Sequence, residues 1–176
     1  MRLALAAALA LAMLGAGAVE DTNRILEVDG DAFAYTVRTH PADAHFADAG
    51  AAPRPDSALG TAKLLNRYLS AGNIEDAALL SNEPKRRYQV LREFRDAVGE
   101  EEFRRLYTRY FEPGNRLVAE VLMPPHSLLV WHLEGERHLA GQYYVRIDER
   151  WFIDDVPSVT RTRLRQVLES LRAAQR

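Results

Sequence analysis

Apolar residues along this chain change their period twice, and those changes divide it into elements. Residues 24–38, RILEVDGDAFAYTVR, alternate polar and apolar around Asp29-Gly30, a dipeptide that favours tight hairpin turns. The alternation puts Leu26, Phe33, Tyr35 and Val37 on one face. From Thr39 to Asp56 the periodicity disappears and three prolines occur, which predicts a loop or linker.

At Ser57 the pattern becomes helical. Leu64, Leu65, Tyr68 and Leu69 form one stripe, and Gly72 ends it. Asn73 is placed to cap a short second helix, with Glu75 and Asp76 near its positive end and Ala77, Ala78 and Leu80 as its apolar side. Asn82 and Pro84 open a third helix, whose stripe is Tyr88, Leu91, Phe94 and Val98 and whose stop is Gly99. Glu100, Glu101 and Glu102 open a fourth, carrying Phe103, Leu106, Tyr107, Tyr110 and Phe111. Charges between these stripes fall at i,i+4: Glu83 with Arg87, Arg92 with Asp96, Glu100 with Arg104, Glu101 with Arg105. At roughly 0.2–0.5 kcal/mol each, such pairs account for a solvated face without a partner.

After Glu112-Pro113-Gly114 the period falls to two. Residues 115–123, 127–134, 137–147 and 150–156 are four strand candidates with short connections, followed by an amphipathic helix over 162–175 with Leu164, Val167, Leu168 and Leu171 on one side. Parity sets the expected registers, because a slip of one residue turns every side chain to the other face. A loop over residues 134–136 pairs Trp131 with Leu139 and His132 with His138, and collects Leu129, Trp131, Leu133, Leu139, Tyr143, Val145 and Ile147 on one face. A loop over residues 148–150 pairs Val145 with Ile153 and sets Tyr143 opposite Asp155.

Two candidate sites follow. In HLEGERH, residues 132–138, the expected pair His132 and His138 is the nearest approach to a metal site. Two histidines with Glu134 beside them, and Arg137 and Arg146 repelling a cation, fall short of the three fixed ligands that zinc needs, so a half-exposed histidine pair is expected and no metal. His40, Asp43 and His45 lie in the proline-containing loop, where ordering them round an ion costs too much entropy. The second candidate is Asp155 beside Tyr143 at the rim of an aromatic face, an arrangement suited to a general base. The competing expectation pairs Asp154 or Asp155 with Arg161 or Arg163, whose charges sit unfavourably in the first turn of the last helix.

Composition narrows the classes. The chain has no cysteine, which excludes disulfides, thiol nucleophiles and cysteine metal sites. Net charge is −2, and residues 19–60 carry 3 basic and 8 acidic side chains. No concentrated positive face for nucleic acid is expected. The opening MRLALAAALALAMLGAGAVED has a basic start, a short apolar run over Leu3–Leu14 and small residues at 16–18, the pattern of a signal peptide cleaved near Ala18. That run is too short for a comfortable membrane span, so a periplasmic or secreted protein without stable membrane insertion is expected. Nucleophile-elbow, P-loop, dinucleotide and zinc-protease motifs do not occur.

Two stretches, LLNRYLSAGNIEDAALLS over 64–81 and YYVRIDERWFIDDVP over 143–157, resemble the nuclear-transport-factor-2-like superfamily. The resemblance covers about residues 57–157. It implies an α+β domain over 57–176: N-terminal helices packed on a curved antiparallel sheet of about four strands, with a cone-shaped pocket. A hairpin and loop over 19–56 and a C-terminal helix are additions that could cover that pocket. Members include isomerases, dehydratases and exported binding or accessory domains, and sheet-face homodimers are common. The expected function is therefore a non-catalytic module that binds a small apolar ligand or a protein partner without a cofactor, using Tyr107, Trp131, Tyr143 and Trp151. The alternative is a small acid–base enzyme using Asp155 with Tyr143 or Tyr107.

Overall fold

The strand over His126–His132 is buried at every position from Ser127 to Trp131, so both of its faces must be covered. That single feature fixes the layering. The computed structural model describes residues 19–28, 30–41, 44, 52–109, 112, 114–135 and 139–174. In chain order the elements are β1 (Glu20–Val28), β2 (Asp31–Thr39), α1 (Ala58–Ser70), α2 (Ile74–Ala78), α3 (Pro84–Val98), α4 (Glu100–Thr108), β3 (Arg116–Met123), β4 (His126–His132), β5 (Ala140–Ile147), β6 (Arg150–Ile153) and α5 (Val159–Ala173).

The class is α+β, with one antiparallel sheet of six strands in the order β1-β2-β3-β4-β5-β6. The expectation of about four strands is too low. The N-terminal hairpin is no appendage: Thr36, Val37 and Arg38 pair with Leu122, Val121 and Glu120, so it extends the sheet at the β3 edge. Within it Leu26 lies opposite Phe33, and Leu26 and Val37 enter the core, as alternation predicts. Asp29 of the expected turn lies outside the described residues.

Two clusters sort by strand parity. Leu128 and Val130 pack with Leu164, Val167 and Leu168 of α5 on one face. Leu129 and Trp131 pack with Ala58 and Ala62 of α1, with Leu80, Tyr144 and Ile153, on the other. α2, α3 and α4 form a further layer outside α1, round Leu69, Ile74, Ala77, Leu91 and Phe103. Close approach of α5 needs Gly141, where a Cβ would stand 2.5 Å from Leu168 and 3.0 Å from Leu128.

Helix ends follow the sequence. The Ser57 side chain accepts from Gly60 N–H, Asn73 from Asp76 N–H and Ser158 from Arg161 N–H, each satisfying a donor that the first turn leaves free. Gly72, at φ +78°, lets the chain leave α1.

Both hairpin registers differ from the parity expectation. Trp131 pairs with Ala140 and Leu128 with Tyr143, one residue off the predicted alignment. Arg150 pairs with Ile147 and Ile153 with Tyr144, across a turn at Asp148 and Glu149 with φ of 45° and 67°. Parity selects a register only when one face of the sheet is wet. With α1 and α5 on opposite faces, both sides of β4 are apolar, and sorting by polarity loses its power to choose a register.

Candidate functional site

Where β6 ends, the chain turns out of the sheet at Asp154 and Asp155 and meets the α2–α3 link. Ser81 bridges Ile153 in parallel, with Asn82 N–H donating to Ile153 C=O at 3.0 Å and Ile153 N–H to Leu80 C=O at 2.7 Å. Asn82 then reads both acids: its Nδ2 donates to Asp154 at 2.9 Å and its Oδ1 accepts from Asp155 N–H at 2.8 Å. Asp154, 2% exposed, also meets His126 Nδ1 at 3.1 Å.

Asp155 accepts three side-chain hydrogen bonds. Arg87 donates from Nε at 2.8 Å and Nη2 at 2.5 Å, and Ser81 donates at 2.6 Å. Arg87 therefore does not pair with Glu83, which bonds Arg86 instead. Nor do Arg161 and Arg163 pair with these acids: they lie over the rings of Tyr143 and Phe33. A carboxylate held by three donors is a fixed strut, with little capacity left to take a proton from a substrate.

Arg87 also lines a cavity of about 170 Å³ together with Ala62, Leu65, Asn66, Leu69, Leu91, Tyr107 and Gln142. Its walls come from α1, α3, α4 and β5. Gln142 has a defined orientation. Trp131 Nε1 can only donate, and it lies 3.1 Å from Gln142 Oε1, which also accepts from the Tyr144 hydroxyl at 3.2 Å. The amide nitrogen is turned away from those donors. Asn66 Oδ1 is buried and has no hydrogen-bond partner among the described residues. The cavity wall is mixed, with Ala62, Leu65, Leu69 and Leu91 beside the polar side chains of Asn66, Gln142 and Arg87.

A second cavity of about 290 Å³ shares Leu65, Arg87 and Gln142 with the first and adds Tyr143, Tyr144, Asp154, Asp155 and Arg161. A third, also about 290 Å³, shares Tyr143 and Arg161 with the second. The three thus lie side by side, separated by the residues they share.

The residues expected from the sequence are distributed across this arrangement. Tyr107 lines the inner cavity, while Tyr143 and Asp155 line the middle one. Trp131 is fully buried and acts through Gln142, and Trp151 packs half-buried beside Ala58 and Ala62. His132 has a buried Nδ1 without a partner, and His138 lies outside the described residues. His40 meets buried Glu120 at 3.2 Å, where Ser127 donates at 2.8 Å and Arg38 approaches at 3.7 Å; Asp43 and His45 lie outside the described residues. Among the described residues no three metal-ligating side chains gather. Asn66, Arg87 and Gln142 carried no motif. The one signal for Gln142 was a polar residue in an apolar strand beside two tyrosines.

The fold is α+β, with partly open cavities of mixed polarity beside α1 and β5. No protein-family model, no curated protein and no solved structure matches the chain. No helix among the described residues is long and apolar enough to cross a membrane.

Proposed function

We propose that this chain is an exported, non-catalytic binding protein that holds a small, mostly apolar ligand in the cavity bounded by α1, α3, α4 and β5. One observation carries the reading: Asn66, Arg87 and Gln142, from three different elements, converge on the wall of that cavity beside Leu65, Leu69 and Leu91. A few polar groups set among apolar side chains in one concave space are the usual anatomy of a small-molecule site. Gln142 supports the same reading, since Trp131 and Tyr144 hold its oxygen and leave its amide nitrogen for an occupant. Export is proposed from residues 1–18, which lie outside the described residues. The nuclear-transport-factor-2-like relationship is likewise a proposal, resting on the order of helices before sheet and on the two stretches that suggest it.

The test is native mass spectrometry of the protein purified without refolding, before and after denaturation. A discrete extra mass that leaves on denaturation, and that is absent from Leu65→Trp protein, supports the cavity. A bare chain that gains no mass from a library of small apolar compounds overturns it. For the acid–base alternative, Asp155→Asn separates the roles: a strut loses stability, whereas a base loses turnover at unchanged stability.

A further inference from the structure

The outer groove differs in character from the spaces it joins. Its lining is Tyr143, Pro157, Ser158, Arg161, Thr162 and Arg165, with no carboxylate among them. In the middle cavity the acids are already engaged, Asp155 by Arg87 and Asp154 by Asn82 and His126. Arg161 stacks over the Tyr143 ring at 5.3 Å, and neither Arg161 nor Arg165 has a carboxylate partner among the described residues.

The surroundings of these arginines are unfavourable to them as they stand. α5 has no acidic residue in its first turn, and its positive end opposes the charge of Arg161. Further along the helix, Glu169 is bonded by Arg172, whose Nε also donates to Leu139 C=O at 2.8 Å. The Tyr143 hydroxyl makes no hydrogen bond among the described residues. Burial, with a smaller push from Glu169, holds its phenol above the usual range against the pull of Arg161, Arg172 and Arg165, so at neutral pH it is a donor. The groove lining therefore offers two guanidinium groups and a phenol and no carboxylate, the nearby Glu169 being held by Arg172.

We propose that this groove seats the carboxylate of a small organic acid whose apolar body runs through the middle cavity into the inner one. The inference rests on the binding function proposed above and adds the class of ligand. Guanidinium groups match a planar carboxylate, and an anion here relieves the repulsion at the start of α5. The donors of the inner cavity are then left for a polar group at the far end of the ligand or for water.

Octanoate and 1-octanol separate the two parts of the idea, because they share a body and differ in the head. Calorimetric titration of the full chain with each, at pH 7 and low salt, is expected to give octanoate an advantage of about tenfold. Arg161→Gln/Arg165→Gln should abolish that advantage and leave octanol unchanged. Arg165→Gln alone, at an exposed position, should reduce it at least about threefold, and guards against misfolding of the double variant. Equal affinities in the unsubstituted protein, or an advantage that survives both substitutions, would overturn the carboxylate site and leave the cavity standing. If neither compound binds the folded protein, both readings fall.

Discussion

Arg87 grips Asp155 through both carboxylate oxygens, tying the third helix to the point where the chain leaves the sheet. The pair is about four-fifths buried, with side-chain exposures of 24% and 18%. Removing the charge of Asp155 strands a guanidinium whose side chain is about three-quarters buried. Exposed pairs are worth up to about 1 kcal/mol, and breaking a fully buried pair costs about 3–5 kcal/mol. Asp155→Asn should fall between, near 2 kcal/mol, lowering Tm by roughly 4–8 °C in a domain of this size. A thermal scan showing no change would remove the strut and return Asp155 to the candidates for catalysis.

Asn66 should behave in the opposite sense. Its carbonyl oxygen is buried without a partner among the described residues, so Asn66→Leu removes a desolvated acceptor. The ligand-free protein should gain about 1 kcal/mol while ligand capture is lost. Urea titration and native mass spectrometry of the same preparation check both halves. A loss of stability would show that Asn66 is structural.

Gly141 sets how near α5 can lie. A Cβ there meets Leu168 at 2.5 Å inside a packed core, and valine adds two further methyl groups. Gly141→Val should destabilise by about 1–3 kcal/mol through overpacking. Equilibrium unfolding measures it, and Leu168→Ala in the same chain should recover part of the loss by making room.

On the first two strands Arg38 donates to both oxygens of Asp21, at 2.9 and 3.0 Å. That hydrogen bond holds the Asp21 carboxyl below its usual range. A folded value below the unfolded one gives stability that is present above the ordinary carboxylate pKa and lost as pH falls through the folded value. Asp21→Asn should therefore melt below the parent at neutral pH and converge with it in acid. Because the pair is exposed, the gap should also narrow in high salt. Parallel curves at all pH values would contradict the pairing.

Tyr143 and Tyr35 are both raised by burial. For a raised phenol the stability is present below the usual value and is lost as pH rises through the folded value. Ultraviolet titration of the native protein should show a late-ionising phenol that Tyr143→Phe deletes. A phenolate forming in the ordinary range would mean that Tyr143 is solvated and that the groove is open there.

Local features of the chain were legible because their causes are local. Ser57, Asn73, Gly72 and Gly99 mark helix ends through caps and backbone freedom, and the structure puts the ends there. The hairpin face of Leu26 and Val37 follows from a period of two. Register failed where it depended on what covers each face: Trp131 lies opposite Ala140, because α1 and α5 enclose β4 from both sides.

The candidate site was less legible still. Arg87 has Glu83 at ideal helical spacing, yet it goes to Asp155, 68 residues away, because Ser81 and Asn82 dock on β6 and bring that carboxylate within reach. Asn66 and Gln142 share a cavity wall although separated in sequence by three helices and two strands. By itself the sequence determined element type, helix ends and the absence of cysteine chemistry, which depend on neighbours within a few residues. Only the tertiary structure decided register, the partner of Asp155 and the convergence of Asn66, Arg87 and Gln142, since those depend on which surfaces exclude water together.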